Sequence, residues 1–398
     1  MYNPQASFRN ILAPIAPPVF LSEYYDKKPL HIPGDVDKFA GLFGWDELSR
    51  LLELDNLWTS DNLSLVADGR KLAPEQYCES EDSNQSKGMA PDWDKVESYL
   101  EQGSTMVLDK MQTYSSGAHA IAASLRLALG WPVEGNLYCS WKMTPGFEPH
   151  FDTMDVFALQ FEGEKTWDIY STRFELPFRA DGFYQGYFPR EYHDANQGEK
   201  EMAVHMKAGD VLYIPKGKYH AALATSDASL HITFGISQLR AVQFVGMIFD
   251  ALPNDSLFRQ PFPSFLDDGE VEAFAADVGD RMAEILKRPT VAQELSDEMR
   301  TQAWSSIPAF AFPSRSRQVC YRVQTIGSKV LRRGKKWQLT LGARKVDLSP
   351  EDAKMAEWML LSDAFAVDDL AAAFPVLSAT EHASALDRLA TAGLIQRL

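Results

Sequence analysis

Between Gly135 and Ile236 the chain is a succession of short segments rich in aromatic and β-branched residues, at 138–141, 156–161, 166–170, 211–214 and 230–236, separated by Gly, Pro and Asp turns. Segments of this kind pack alternate side chains on a pleated surface, and with no long helical period between them they do not fit a doubly wound parallel sheet. The stretch predicts an antiparallel β-sandwich or barrel. On either side the pattern is helical: apolar residues spaced by three and four predict helices within 39–54, 115–129, 244–252 and 269–286. A helix start is marked at Ser349-Pro350-Glu351 and a capping box at Ser378-Ala379-Thr380-Glu381, and a final short strand follows Gly393. Residues 78–93 read as an exposed polar loop. The fold class is α+β.

The 398 residues carry 39 Lys and Arg against 55 Asp and Glu, a net charge of −16, which argues against a general nucleic-acid binder. The total conceals an asymmetry. Residues 314–345 contain Arg315, Arg317, Arg322, Lys329, Arg332, Arg333, Lys335, Lys336, Arg344 and Lys345 and no acidic residue, so one basic strip sits on an acidic body. That strip is the candidate contact for RNA or for an acidic partner. Cys78, Cys139 and Cys320 are far apart and odd in number, so a disulfide framework is not expected and a reducing, cytoplasmic setting is. The first 20 residues lack a secretory-signal pattern, and no run approaches the ~18 apolar residues of a membrane span, so no membrane contact is expected. Phosphate-binding and dinucleotide-binding glycine motifs and CxxC pairs are absent from the sequence.

Chemistry concentrates in the β-rich part. In Pro149-His150-Phe151-Asp152, residues 150 and 152 would share one face of an extended segment, so an imidazole and a carboxylate can converge on one ion. Downstream, Gly209-Asp210-Val211-Leu212-Tyr213-Ile214-Pro215 reads as a turn and a buried strand, after which a bend presents His220. Two histidines and one carboxylate on adjacent strands make the facial triad of a non-haem Fe(II) oxygenase, which leaves metal positions open. Lys165 lies thirteen residues beyond Asp152, past the expected strand at 156–161 and the expected turn Glu162-Gly163-Glu164, on a strand read as returning antiparallel. A cation there suits the distal carboxylate of a chelated 2-oxoglutarate. Glu162 and Glu164 read as solvated charges, His193 and His205 as ordinary loop or strand residues, and His231 as a buried structural histidine.

His150-x-Asp152, Lys165 and His220, with Asp26-Lys27-Lys28-Pro29-Leu30, Asn136-x-Tyr138, Leu159-Gln160-x-Glu162-Gly163-x-Lys165-x-Trp167 and Gly209-Asp210-x-Leu212-Tyr213-Ile214-Pro215, resemble the JmjC-type ribosomal oxygenases of the cupin superfamily. The resemblance implies a double-stranded β-helix (jelly-roll, cupin) barrel with N-terminal helices, a helical dimerisation region and a C-terminal winged-helix-like domain. Set on this chain, the catalytic domain would cover 1–240 with its barrel core at about 135–240, the dimerisation region 241–305 and the last domain 306–398. It also implies Fe(II) on His150, Asp152 and His220, 2-oxoglutarate on Lys165 with Asn136 close by, O2 as oxidant, and hydroxylation of an Arg or His side chain of a protein, plausibly ribosomal, by a homodimer. The sequence departs from the family at Thr144-Pro145-Gly146-Phe147-Glu148, where many members have Thr-Pro-x-Gly-Ser. A hydroxylase of a small molecule or biosynthetic peptide, and a catalytically silent cupin scaffold, are the alternatives.

Overall fold

The computed structural model describes residues 3–54, 56–67, 69–79, 88–141, 148–249, 252–261, 268–291, 293, 319–324, 328–334, 336–342, 344–362 and 364–397. The chain divides into two units, one of Met1–Leu129, Val133–Ile236 and Ala309–Leu398, the other of Gly130–Pro132 and Ser237–Pro308.

In the first unit, strands β1 (Leu30–Ile32), β2 (Leu63–Ala67), β3 (Arg70–Lys71), β4 (Cys78–Glu79), β5 (Ala90–Pro91), β6 (Thr105–Leu108), β7 (Val133–Trp141), β8 (Asp155–Arg173), β9 (Lys200–Lys207), β10 (Val211–Ile214) and β11 (Lys218–Ile236) precede the C-terminal module. All but the β4·β5 pair join one sheet in the order β1-β10-β8-β11-β7-β6-β2-β3, with β9 beside β8. Strands β8 and β11 are its spine: they pair antiparallel from Lys218↔Arg173 to Ile236↔Asp155. The first half of β8 also pairs with β10, its second half with β9, and the second half of β11 with β7. Each long strand therefore serves two sheet faces, the construction of an antiparallel jelly-roll barrel. Register shifts between Ala224 and Ser229, and between Leu230 and His231, mark where β11 departs from regular pairing.

Gly163 does not reverse the chain. It adopts φ +64° inside β8, beside the register shift that pairs Glu162 with Leu230 and Gln160 with His231. A Glu-Gly-Glu sequence suits a β-bulge as well as a tight turn, because both use the left-handed backbone that glycine tolerates. Lys165 thus sits farther along the same strand, not on a returning one. Inside the barrel Ala158, Trp167, Ile169, Val204, Met206, Leu212, Ile214 and Ala222 form one buried cluster. Outside it, Phe20 from the helix Pro17–Glu23 packs on Phe157 and Tyr213 at ring distances of 5.5 and 4.9 Å.

The expected C-terminal elements are present. Helix Pro350–Met359 starts on an Ser349 cap, and helix Ala379–Ala392 has the full Ser378/Glu381 capping box and ends on Gly393. Strands β12 (Cys320–Val323), β13 (Ser328–Arg333), β14 (Lys336–Leu341), β15 (Arg344–Leu348), β16 (Ala364–Ala366) and β17 (Ile395–Arg397) form two three-stranded sheets, β16-β12-β17 and β13-β14-β15. Val323, Leu339, Phe365, Leu386 and Leu389 lie in their common core. The second unit holds helices Ala241–Phe249 and Asp268–Leu286, with Ile248, Leu252, Ile285 and Val291 buried together.

Asp155 fixes the start of β8. It is fully buried, accepts hydrogen bonds from the Tyr213 hydroxyl at 2.8 Å and the Lys216 amide at 3.3 Å, and faces the Lys216 ammonium at 3.7 Å. Lys216 is itself buried and pairs with Asp26 at 2.6 Å. Removing Asp155 leaves Lys216 its pair with Asp26 but takes the acceptor from the buried Tyr213 hydroxyl, so Asp155→Ala is expected to cost about 1–3 kcal/mol of unfolding free energy, and Asp155→Asn less, by denaturant titration.

Candidate metal centre

Residues 149–152 approach the barrel as an extended segment outside any regular strand. His150 and His220 form an isolated antiparallel bridge, each amide donating to the other's carbonyl, at 3.0 and 2.8 Å. The Gly217 amide donates to the Asp152 carbonyl at 2.8 Å, and the Arg190 guanidinium donates to the Pro149 carbonyl at 3.0 Å. Between the two ligand candidates, Phe151 points the other way. It is fully buried, stacked on Phe174 at 4.4 Å and 8° and edge-on to Tyr219 at 5.2 Å. Alternation along the extended segment thus turns both polar residues to the opposite side.

The donor atoms of His150, Asp152 and His220 all lie within 4.8 Å of one another, a spacing one ion can bridge. Nε2 of His220 is 3.5 Å from Oδ2 of Asp152, and the two imidazole rings are 4.5 Å apart. Nδ1 of His150 lies 2.7 Å from the Glu148 carbonyl and Nδ1 of His220 lies 3.0 Å from the Lys218 carbonyl. A carbonyl only accepts, so each Nδ1 carries the proton and each Nε2 keeps its lone pair for a metal. Burial, reinforced by His220, pushes His150 down to about 4 and keeps its ring neutral at pH 7. Two imidazoles and a carboxylate are the donor set of non-haem Fe(II) sites.

Lys165 is 2% exposed. Its ammonium lies 5.9 Å from the centre of the Tyr138 ring, no carboxylate among the described residues pairs with it, and burial lowers it to about 8. The Tyr138 ring stacks on His231 at 4.9 Å and 9°, and Trp167 lies 5.5 Å from His231 and 5.9 Å from His220. Nδ1 of His231, Nε1 of Trp167 and Oε1 of Gln160 are buried without a hydrogen-bond partner among the described residues. Asn136 lies two residues before Tyr138 on β7 and so shares its face; its Oδ1 accepts from the Lys110 amide at 3.3 Å. The structure therefore brings together His150, Asp152 and His220, and sets Lys165 and Asn136 on strands whose polar side chains line the same barrel. A buried unpaired cation and orphaned polar atoms fit a small polar anion better than a closed hydrophobic core.

Sequence reading gave no separate role to Tyr138 or Trp167, although each stands two residues from a chosen residue on the same strand. His231 is buried as expected, but it faces the Tyr138 and Trp167 rings. His193 departs from expectation: it lies in helix Arg190–Asn196, buried, with its ring nitrogens 3.1 Å from the Tyr219 hydroxyl and 3.0 Å from the Gln185 carbonyl. His205 is a strand residue as expected and pairs with Glu164 at 2.9 Å. The family departure at 144–147 lies outside the described residues. Titrated with Co(II), the protein is expected to bind one ion with a visible ligand-field spectrum. Asp152→Ala and His220→Ala should each weaken binding more than about 100-fold, since even outer partners of metal ligands are worth 10–100-fold.

Residues 110–244 match the family model described as the JmjC domain. The chain is 28% identical over 235 residues to ribosomal oxygenase 1 of Danio rerio, covering 58% of this chain and 40% of that protein. It is 30% identical over 236 residues to ribosomal oxygenase 1 of Gallus gallus, covering 57% and 36%. The chain thus spans well under half the length of these curated relatives. YcfD, a ribosomal oxygenase from Escherichia coli, aligns over 96% of this chain and 98% of its own at 16% identity and a TM-score of 0.48. Residues 110–244, which hold Asn136, the triad and Lys165, match the JmjC domain, and the chain is similar to ribosomal oxygenases.

Proposed function

We propose that the protein is an Fe(II)- and 2-oxoglutarate-dependent oxygenase that hydroxylates an amino-acid side chain of a protein. The observation that carries this reading is the convergence of the His150, Asp152 and His220 donors in the same barrel as a buried cation with no acidic partner among the described residues. Iron with 2-oxoglutarate supplies oxidation of an unactivated C–H bond by O2, with succinate and CO2 as co-products. The chain's own work is to hold and orient. His150, Asp152 and His220 would hold the metal, Lys165 would hold the distal carboxylate, and Asn136 would border the cosubstrate. Phe151 and the His150–His220 bridge fix the ligand geometry.

The target is an Arg or His side chain of a ribosomal protein. The names of the curated relatives support this, among them a bifunctional lysine-specific demethylase and histidyl-hydroxylase NO66 of Dictyostelium discoideum, 27% identical over 234 residues, 56% of this chain and 42% of that protein. The protein acts in the cytoplasm as a homodimer through residues 241–305, a region that exposes Val242 and Phe249 (59% and 56%). Residues 306–398 serve as a winged-helix-like domain. Its strip at 314–345 places exposed Lys329, Arg332, Lys336, Arg344 and Lys345 on and around the β13-β14-β15 sheet for RNA or an acidic partner; Arg315, Arg317 and Lys335 lie outside the described residues.

Fe(II)-reconstituted protein given 2-oxoglutarate and O2 is expected to form succinate, and His150→Ala to form none; equal rates would sink the reading. The Lys165 ammonium titrates near 8 without a ligand and gains an anionic partner on binding, so binding takes up a proton above that pH. By calorimetry, 2-oxoglutarate affinity should be flat below pH 8 and fall about tenfold per unit above it, and Lys165→Met should abolish that dependence.

A further inference from the structure

Between β8 and β9, residues 174–199 form an insert seated on the ligand segment. Its underside is aromatic: Phe174 stacks on Phe151, and Phe188 lies 6.5 Å from Phe151 and stacks on Tyr192 at 4.0 Å and 12°. Arg190 anchors it further, donating to the Pro149 carbonyl at 3.0 Å and facing Glu148 at 3.5 Å and Asp194. Its outer side is different. Leu176, Phe183 and Tyr187 are exposed by 71%, 53% and 52%, and a turn closed by the Phe178 amide on the Phe183 carbonyl (2.8 Å) presents Phe183. Glu175, Asp181 and Glu191 are exposed beside them with no ion pair among the described residues, against one exposed cation, Arg179.

We infer that this insert is the docking surface for a basic polypeptide segment, and that it delivers one side chain of that segment to the His150/Asp152/His220 centre. The inference rests on the oxygenase reading for what happens to the delivered side chain, but not for the docking itself. Three features argue for this occupant. Exposed aromatic rings among unpaired carboxylates match Arg and Lys, whose charged heads pair with carboxylates while their planes and stems cover ring faces. The negative charge disfavours a nucleic acid. The surface is also continuous, through Phe174 and Phe188, with the residue that separates two metal-ligand candidates. Large exposed rings of this kind are the usual anchors of polypeptide interfaces.

The test uses the full chain and a fluorescein-labelled arginine–glycine repeat peptide, followed by anisotropy, with a glutamate–glycine repeat and a single-stranded RNA as competitors. Phe183→Ala with Tyr187→Ala, and separately Glu175→Lys with Asp181→Lys, should each weaken the basic peptide about tenfold. Trp93→Ala and Glu97→Lys, distant in sequence and exposed, should change nothing. The Co(II) spectrum should be the same in all variants, which separates loss of docking from loss of fold. Equal binding by the insert variants, equal binding of the acidic peptide or RNA, or no binding of the basic peptide by the unaltered chain would overturn the inference. If docking maps to the insert but succinate never forms, the oxygenase reading fails and the docking surface stands. If succinate forms and the insert variants leave the basic peptide's affinity unchanged, the reverse holds.

Discussion

The two-way amide–carbonyl exchange between His150 and His220 is the interaction on which the rest of the site depends. Beside the Gly217–Asp152 and Arg190–Pro149 hydrogen bonds it ties the otherwise irregular segment 149–152 to β11, and it brings two imidazoles to a ring distance of 4.5 Å. Left alone, two hydrogen bonds would not fix a segment, because each contributes only about 1 kcal/mol net. Phe151 supplies the remainder. Full burial of a phenyl ring stabilises by roughly 1.5–3 kcal/mol, and its stacking on Phe174 adds a fraction more. A single aromatic residue between two polar ones thus converts hydrophobic burial into ligand orientation, and the polar side chains need make no packing contacts of their own.

This coupling explains which parts of the molecule were legible in the sequence. The triad was readable because i and i+2 alternation survives outside regular strands, so His150 and Asp152 share a side whether or not a ladder continues past them. The helices at 116–129, 268–286, 350–359 and 379–392 were readable because each carries a long apolar period, a cap, or both. The course of β8 was not. Glu162-Gly163-Glu164 has the composition of a turn, and only pairing with β11 on one side and with β10 and β9 on the other keeps the strand running through it. Local sequence cannot report a partner strand some sixty residues away, so the run to Lys165 reads as a turn and a return where the strand in fact continues. His193 shows the same limit: its ring meets Phe151 and Tyr219, which lie far from it in the chain.

Charge is distributed with equal economy. The acidic insert and the basic β13-β14-β15 sheet lie in different parts of the sequence, and the strand alternation sorts the latter: Val330, Leu339 and Val346 align on one face toward the core, while Lys329, Lys336 and Lys345 stand exposed. A net charge of −16 is therefore a poor description of either surface. Each would attract a partner of opposite sign within about a Debye length, roughly 8–10 Å at moderate salt, without reference to the total.

Lys165 shows what a preformed binding site asks of a fold. A buried ammonium with no carboxylate partner among the described residues has its titration lowered from 10.5 to about 8, so the unfolded chain holds that proton more tightly than the folded one. Folding stability from this group consequently rises with pH between about 8 and 10.5, and at neutral pH the charged side chain weakens the fold by the full shift, a few kcal/mol at 1.36 kcal/mol per unit. Nothing in the packing requires a lysine there, since the neighbouring barrel positions are filled by Trp167 and Ile169, which bury without such a cost. In the proposed oxygenase, a 2-oxoglutarate carboxylate beside the ammonium would remove the penalty, and its removal would appear as binding free energy. In the proposed oxygenase, a residue that weakens the fold would thereby be the one that selects a carboxylate.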